Sequence, residues 1–356
     1  MNTRRVRHLG ISLGLIDSLD DGLGEFSTQL CERVAALAQA WERDGVRVHL
    51  HLPRRWHGRF GADVSYLGTS RMQGYWHWQG LQRFDVWHSL NQLGRIVPPW
   101  RSRHSLLTIH DLNHLYAATP RSSRHALRKL ARRLRSFDEV TTLTRYVEGD
   151  IRTQLDWRGP VSIIPNGARD LTREPRQPVA DLAPECFLLH LSRMAPSKNP
   201  QALLNLAAAW PEQQIVMAGP RGPDAAWVEA SARERGLANL RVVQDVNEAQ
   251  KAWLFANCRA FVFPSLTEGF GLPPIEAMHF GKPVFLSDRT SLPEVGGNAA
   301  AYFTSFDPLA MRSLIESELP RLAAQSAAIR AHAARFSWDT AVRAYIAIYD
   351  RLLGRG

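Results

Sequence analysis

The sequence is poor in cysteine. Its 356 residues include three cysteines, Cys31, Cys186 and Cys258, which lie far apart and in no paired spacing. Zinc sites and disulfide frameworks need cysteines at defined spacings, so we expect neither of them. Isolated thiols are typical of a reducing compartment, and we therefore expect a cytoplasmic protein with most of its cysteines in hydrophobic cores.

Long apolar runs are also missing. A membrane-spanning helix needs about 20 consecutive apolar residues, whereas the longest early run, 9–16, is followed at once by Asp17. The sequence thus predicts neither a signal peptide nor a transmembrane helix. With 45% hydrophobic residues, a chain of this length is expected to bury large cores and to divide into two domains.

Acidic residues are scarce in one part of the chain. Residues 1–166 contain 24 Lys and Arg against 15 Asp and Glu, and they carry nearly all of the net charge of +10. Between Arg101 and Ser136 the one acidic residue is Asp111. Such a charge excess predicts an anionic partner for this part of the chain.

The positive charge concentrates in residues 121–135, where Leu127, Leu130 and Leu134 recur at helical spacing. This pattern predicts a basic amphipathic helix, and packing of the helix on its own domain accounts for the leucines. The residues assigned to a membrane-binding or acceptor-binding face are Arg124, Arg128, Lys129, Arg132 and Arg133. An anionic membrane surface or anionic acceptor is favoured, and nucleic acid is not, because no nucleic-acid-binding motif accompanies the charge.

Short apolar stretches alternate with helical segments in both halves of the chain. The predicted strands are 9–16, 46–52, 86–90, 105–109, 140–143 and 161–164, then 187–191, 214–218, 240–243, 260–263, 283–286 and 300–303. This alternation predicts an α/β fold with two doubly wound parallel sheets, whose ligands bind beyond the carboxyl ends of the strands. The predicted parts are a domain over 1–168, a proline-containing linker over 169–185, a domain over 186–335 and a final segment over 336–356. The helix of this final segment is predicted over about 338–353.

Two glutamates, Glu268 and Glu276, bracket a turn of glycines and prolines. Gly269 and Gly271 allow a ligand to approach the backbone, and Pro273 begins a helix that is predicted to carry Glu276 in its first turn. Free amides at such a helix start attract anions. The alternative is that Glu276 complements the helix dipole and Glu268 is a solvated loop residue.

The stretch from Glu268 to Glu276, with the following 277–284 and 291–295, resembles the signature of retaining family 4 glycosyltransferases of the GT-B fold. The resemblance implies two Rossmann-like domains that face a cleft, with the final helix returning to the first domain. It also implies that Glu268, Gly269 and Phe270 bind the donor sugar and that Glu276 binds the ribose. Catalysis is expected without a metal or another cofactor, and no Asp-X-Asp motif is present.

Further positions carry the same resemblance. Arg193 and Lys198 follow a predicted strand as two cations five residues apart, which suits a diphosphate leaving group, and they align with the diphosphate-binding residues of the family. Gly24 belongs to a glycine loop that precedes a helix predicted to begin near Glu25. In similar enzymes this loop faces acceptor and donor phosphates, and a plain turn is its alternative. Leu272 and Gly271 are expected to contribute main-chain amides to the diphosphate.

His110 follows the predicted strand 105–109, and the resemblance assigns it, with Glu268, to the reacting sugar. A structural role is the alternative for a lone histidine at a strand end. Trp76 and Trp78 are a candidate sugar-stacking surface, with packing as the alternative.

The expected activity is transfer of a mannose-type or glucose-type hexose from a nucleotide-diphosphate sugar to a glycan or lipid-linked saccharide, as in bacterial lipopolysaccharide or exopolysaccharide synthesis. Peripheral attachment to the inner face of the cytoplasmic membrane is expected with it. Two other functions remain open. A sugar-nucleotide epimerase or a phosphorylase shares this architecture, and a non-catalytic glycan-binding relative is the other alternative.

Overall fold

The computed structural model describes residues 5–19, 22–70, 83–93, 97–99, 102–113 and 120–355, except for the side chains at positions 120 and 121. Trp76 and Trp78 lie outside the described residues. The chain forms two compact units, one comprising Met1–Gly167 with Ser337–Gly356 and the other Ala168–Phe336. The segment 169–185, predicted as a linker, belongs to the second unit.

The first unit is built on a parallel sheet of seven described strands in the order β3-β2-β1-β4-β5-β6-β7. Its strands are β1 (Arg7–Ser12), β2 (Val46–Leu52), β3 (Ser65–Gly68), β4 (Val86–Ser89), β5 (His104–Ile109), β6 (Glu139–Thr142) and β7 (Val161–Ile163). Its helices are α1 (Gly22–Arg43), α2 (Pro120–Leu134), α3 (Arg145–Gln154) and α11 (Trp338–Leu353).

The second unit contains a parallel sheet of six strands in the order β10-β9-β8-β11-β12-β13. Its strands are β8 (Phe187–Leu191), β9 (Gln214–Gly219), β10 (Leu240–Gln244), β11 (Ala260–Phe263), β12 (Val284–Ser287) and β13 (Ala301–Phe303). Its helices are α4 (Pro200–Ala209), α5 (Pro223–Glu234), α6 (Glu248–Asn257), α7 (Leu272–His279), α8 (Leu292–Gly296), α9 (Pro308–Ala324) and α10 (Ser326–Ala333).

Both sheets have the doubly wound strand order, in which the chain reverses direction beside the first strand of the sheet. The reversal lies between β1 and β4 in the first unit and between β8 and β11 in the second. The predicted α/β fold class with two parallel sheets is therefore confirmed. Strand β3 was not predicted, because its side chains are half-buried and its apolar pattern is weak.

Helix α11 packs in the core of the first unit beside α1, where Tyr345 and Tyr349 are fully buried. His88 on β4 connects this helix to the sheet, with 2.7 Å from Nδ1 to the Tyr349 hydroxyl and 2.7 Å from Nε2 to Thr108 Oγ1. Burial lowers the pKa of His88 to about 3, so the ring is neutral. This helix begins and ends where the sequence predicts.

Helix α2 packs Leu130 and Leu134 into a hydrophobic core with Val140 and Ile151, and Leu127 borders that core. The leucines thus pack the helix on its own domain, as the sequence predicts. Among the described residues, no helix has the length and apolar character that a bilayer-spanning helix needs.

Candidate functional site

The loop after β11 carries Glu268, and helix α7, which follows this loop, carries Glu276. The loop ends at Gly271, whose φ of 99° lies in the left-handed region, and a Cβ there would meet Leu292 Cδ2 at 2.9 Å. Glycine satisfies both restrictions. Helix α7 begins at Leu272, which places Glu276 in its second turn and not in the first turn as predicted. A helix-dipole role is confined to the first turn and does not explain Glu276.

Glu268 is paired with Lys198 in this structure. Lys198 Nζ lies 2.5 Å from Glu268 Oε1, and the two side chains are 17% and 9% exposed. The ammonium also lies 5.7 Å from the centre of the Phe263 ring. Lys198 comes from the loop after β8 and Glu268 from the loop after β11, so the pair lies at the carboxyl ends of the two strands where the strand order reverses.

Main-chain contacts fasten the loops after β8 and β11 together. The carbonyl of Ser197 accepts hydrogen bonds from Leu266 N at 2.8 Å and from Ser265 Oγ at 3.0 Å. On the other side, Thr290 Oγ1 accepts from Glu268 N at 3.0 Å, and Ser291 Oγ donates to Glu268 O at 2.9 Å. The Glu268 backbone is therefore held by the loop after β12.

A buried histidine organises the start of the loop after β8. His190 Nδ1 donates to Val262 O at 3.0 Å, so Nε2 accepts from Ser192 Oγ at 2.7 Å, and Ser192 Oγ accepts from Met194 N. Burial lowers the pKa of His190 to about 4, which keeps the ring neutral. This chain of hydrogen bonds holds Met194 in a left-handed conformation next to Arg193.

Left-handed residues other than glycine recur at this edge of the sheet. They are Met194, Asn199, Asp245 and Thr290, in loops that follow β8, β10 and β12. Such conformations cost about 1–3 kcal/mol each and concentrate at ligand sites. Gly219, at the end of β9, has a related constraint, since a Cβ there would lie 1.9 Å from Ser192 O.

Glu276 has its own lysine, which the sequence did not reveal. Lys251 Nζ on α6 lies 3.0 Å from Glu276 Oε2 and 3.2 Å from Oε1. The side chains are 15% and 7% exposed. Both glutamates of the motif are thus ion-paired carboxylates, which accept hydrogen bonds from hydroxyls and do not donate a proton.

The other predicted donor residues of the second unit lie around these pairs. Arg193 is exposed, and its guanidinium has no ion-pair partner among the described residues. Leu272 and Gly271 supply the amides at the start of α7, which have no acceptor within the helix. Phe270 is 5% exposed and packs edge to face on Phe336. The Phe270 ring therefore supports the loop, and the sugar-binding role of Gly269 and Phe270 stays a prediction.

His110 lies at the end of β5 in the first unit and is buried against Phe26. Its Nε2 lies 2.8 Å from Leu90 O, and a carbonyl only accepts, so Nε2 carries the proton. Burial lowers the pKa of His110 and favours the neutral ring. Nδ1 is then a hydrogen-bond acceptor, which suits contact with a sugar hydroxyl and not a cationic role.

Gly24 lies in the first turn of α1, which begins at Gly22 and not near Glu25 as predicted. A Cβ at Gly24 would lie 2.4 Å from the Leu19 backbone. The close approach of the Leu19 backbone is enough to explain why position 24 is a glycine. The diphosphate role of Gly24 stays a prediction.

Arg133 does not belong to the exposed basic face to which the sequence assigned it. Its Nη1 donates to Gln92 O at 2.7 Å and to Asn91 O at 3.2 Å, and burial lowers its pKa to about 10. Gln92 in turn accepts from His110 N at 3.2 Å and donates to Asp111 O at 2.8 Å. Arg133 therefore connects α2 to the loop that holds His110. Among the side chains of α2 that the structure describes, the exposed lysine and arginines are Arg124, Arg128, Lys129 and Arg132.

Residues 174–316, which contain both ion pairs, match the family described as Glycosyl transferases group 1. The O-antigen chain mannosyltransferase B of Escherichia coli is 34% identical over 183 residues, 48% of this chain and 47% of that protein. Residues 174–316 belong to the group 1 glycosyltransferases. The matched region spans about half the length of that relative.

Solved structures show that the chain has the GT-B fold. A sucrose-phosphate synthase from Thermosynechococcus elongatus superposes with a TM-score of 0.75 at 18% identity and covers 98% of this chain and 100% of its own. An Anabaena protein crystallised with UDP has a TM-score of 0.70 at 14% identity, covering 97% of this chain and 100% of its own.

Proposed function

We propose that the protein is a retaining glycosyltransferase that moves a hexose from a nucleotide-diphosphate sugar to a glycan or lipid-linked acceptor. The observation that carries the proposal is the placement of Lys198 and Glu268 as a buried pair at the strand-order reversal of the second sheet. A cation for the diphosphate and a carboxylate for sugar hydroxyls lie side by side there.

The reaction follows from the charge that develops. The bond between the sugar C1 and the β-phosphate oxygen breaks, and its electron pair goes to the departing diphosphate. The acceptor hydroxyl forms the new bond to C1 on the same face, and its proton passes to the departing phosphate. Lys198, Arg193 and the amides at the start of α7 stabilise the diphosphate, so no metal or other cofactor is needed.

The two glutamates then orient the donor. Glu268 accepts hydrogen bonds from sugar hydroxyls and Glu276 from the ribose, while neutral His110 accepts from the transferred sugar through Nδ1. A bound diphosphate contacts Lys198 and weakens its ion pair with Glu268. Oε1 of Glu268 then accepts a hydrogen bond from a sugar hydroxyl. In the free protein this ion pair keeps both charges compensated.

Donor class is the first thing to test. UDP, GDP and ADP should be screened for thermal stabilisation, because a ligand at 100 times its Kd adds about 2.7 kcal/mol to the free energy of unfolding. GDP-mannose and UDP-glucose come next, since one relative is named a mannosyltransferase and one solved structure holds UDP. Absence of stabilisation by all three nucleotides would favour a non-catalytic glycan-binding protein.

Turnover of the sugar nucleotide is the second test. Glu268→Gln, Arg193→Ala and Lys198→Ala should each lower transfer or hydrolysis by about 100-fold or more. Arg321→Ala, an exposed residue of α9, is the matched control. Full activity in all three variants contradicts the proposal. An epimerised donor without acceptor would identify an epimerase, and release of sugar phosphate would identify a phosphorylase.

We further propose that the exposed basic face of α2 docks on an anionic membrane surface, on the cytoplasmic side where lipid-linked saccharides are extended. Four described side chains of this helix are exposed cations, and its sequence contains no acidic residue, which supports this partner. Sedimentation with vesicles of phosphatidylcholine and phosphatidylglycerol should decrease with added salt and on changing Arg128 and Lys129 to Gln. Equal binding to neutral vesicles contradicts docking of the basic face on an anionic surface. Loss of activity in the variant without loss of vesicle binding indicates a soluble anionic acceptor.

A further inference from the structure

We propose that Lys251 is a positioning residue that holds the Glu276 carboxylate so that its two oxygens receive the two hydroxyls of a ribose. This inference rests on the proposed function, because Glu276 can bind a ribose only if the protein binds a nucleotide. It adds a residue from α6 to the site and a reason for the selection of ribonucleotide donors over deoxyribonucleotides.

The contact geometry distinguishes Lys251 from Lys198. Lys198 Nζ contacts only Oε1 of Glu268, whereas Lys251 Nζ reaches both oxygens of Glu276, at 3.2 Å and 3.0 Å. A cation shared by both oxygens restricts rotation of the carboxylate plane. A carboxylate offers about four lone-pair directions, so each oxygen keeps an acceptor direction, and the 2′ and 3′ hydroxyls of a ribose form a pair of donors that matches two fixed oxygens.

Lys251 is also the cation that compensates Glu276. No other described residue forms an ion pair with this carboxylate, and the neighbouring His279 has its pKa lowered, chiefly by burial, and is neutral. An unpaired carboxylate would be costly at 7% side-chain exposure and would repel a diphosphate bound at the start of the same helix. With Lys251 the pair presents acceptors without net charge.

The position of Lys251 is set by the packing of α6. Its neighbours Ala252 and Leu254 are fully buried, and the helix begins with a capping box between Asn247 and Gln250. These features fix the rotation of the helix and turn Lys251 toward α7. An ion pair that only joins α6 to α7 is the competing explanation, and it predicts a loss of stability without a change in ligand selectivity.

The experiment compares nucleotides that differ by one hydroxyl. Calorimetric titrations of the wild-type protein with UDP, GDP and ADP, each compared with its 2′-deoxy form, should show a preference of roughly 10- to 100-fold for the ribonucleotide of the matching base. The reason is that the deoxy ligand leaves an acceptor of a buried charge unpaired. Lys251→Met should reduce this preference to less than about threefold, and Lys251→Arg should retain part of it.

Lys282→Met is the matched control, since Lys282 is as buried as Lys251 and pairs with the exposed Glu185 at 3.5 Å. It should keep the wild-type preference. Circular dichroism establishes that each variant is folded, and Lys251→Gln replaces Lys251→Met if the latter is not. A folded Lys251 variant with the full wild-type preference overturns the inference while the proposed function stands. A wild-type protein that binds none of these nucleotides overturns both.

Discussion

Lys198 Nζ lies 2.5 Å from Glu268 Oε1, although the two residues are 70 positions apart in the sequence. Each residue belongs to a loop that follows a central strand of the second sheet, and the strands β8 and β11 are neighbours. A parallel sheet brings its carboxyl ends to one edge. The strand order therefore brings the two side chains together. Substitution of either residue tests how much the pair stabilises the protein without ligand.

Removal of either partner of this pair should destabilise the protein. Lys198→Met and Glu268→Gln each leave a buried group without its counterpart, and each should lower the free energy of unfolding by about 1–3 kcal/mol in urea titrations. The double variant should lose less than the sum of the two, since the interaction is lost only once. Additive losses would show that the two side chains are not coupled.

Gly271→Ala should impair nucleotide binding as well as stability. The variant must adopt a φ near 99° and must also displace Leu292, so the start of α7 shifts. Gly236→Ala is the matched control, because Gly236 has a φ of 64° but open space around it. Both variants should lose about 1 kcal/mol or more of stability, and only Gly271→Ala should weaken nucleotide affinity. Equal affinities in the two variants contradict a role for the amides at this helix start.

Arg133→Met should separate catalysis from membrane binding. Arg133 holds the Asn91 and Gln92 carbonyls, and Gln92 holds the backbone at His110. The variant should therefore lower turnover by about tenfold or more while its binding to anionic vesicles stays close to wild type. Arg128→Gln should have the opposite profile. Normal turnover with reduced vesicle binding in Arg133→Met would instead support the assignment of Arg133 to the membrane-binding face.

Stability should fall as the pH is lowered from about 6.5 toward 4. Burial lowers the pKa of His88 to about 3 and of His190 to about 4, both below the ordinary value of 6.5. The unfolded chain thus binds more protons than the folded chain in this window, and each histidine removes up to about 2 kcal/mol between pH 7.5 and 5.0. Urea titrations at the two pH values measure the loss.

His88→Gln should reduce that pH-dependent loss by about 2 kcal/mol, because one titrating group is gone. His125→Gln, on the exposed side of α2, should leave it unchanged. A loss of the same size in wild type and His88→Gln would show that His88 does not titrate differently in the two states.

Much of the fold was predictable because apolar strands and helix signals are local. All twelve predicted strands are present, and helix α11 has the predicted bounds. Strand β3 was missed because its side chains are half-buried, and α1 begins three residues early because Gly22 gives no helix-start signal. Glu268, Lys198 and Arg193 could be selected because each follows a strand.

The sequence by itself determined the two doubly wound sheets, the leucine face of α2 and the chemistry available at the second sheet's edge. Tertiary structure alone decided which charges meet. Lys251 lies 25 positions before Glu276 and follows no strand, so only the rotation of α6 reveals it. Arg133 was assigned to a basic surface by composition, but helix packing turns it onto two carbonyls. Residue type fixes what a side chain can bind, and packing fixes what it does bind.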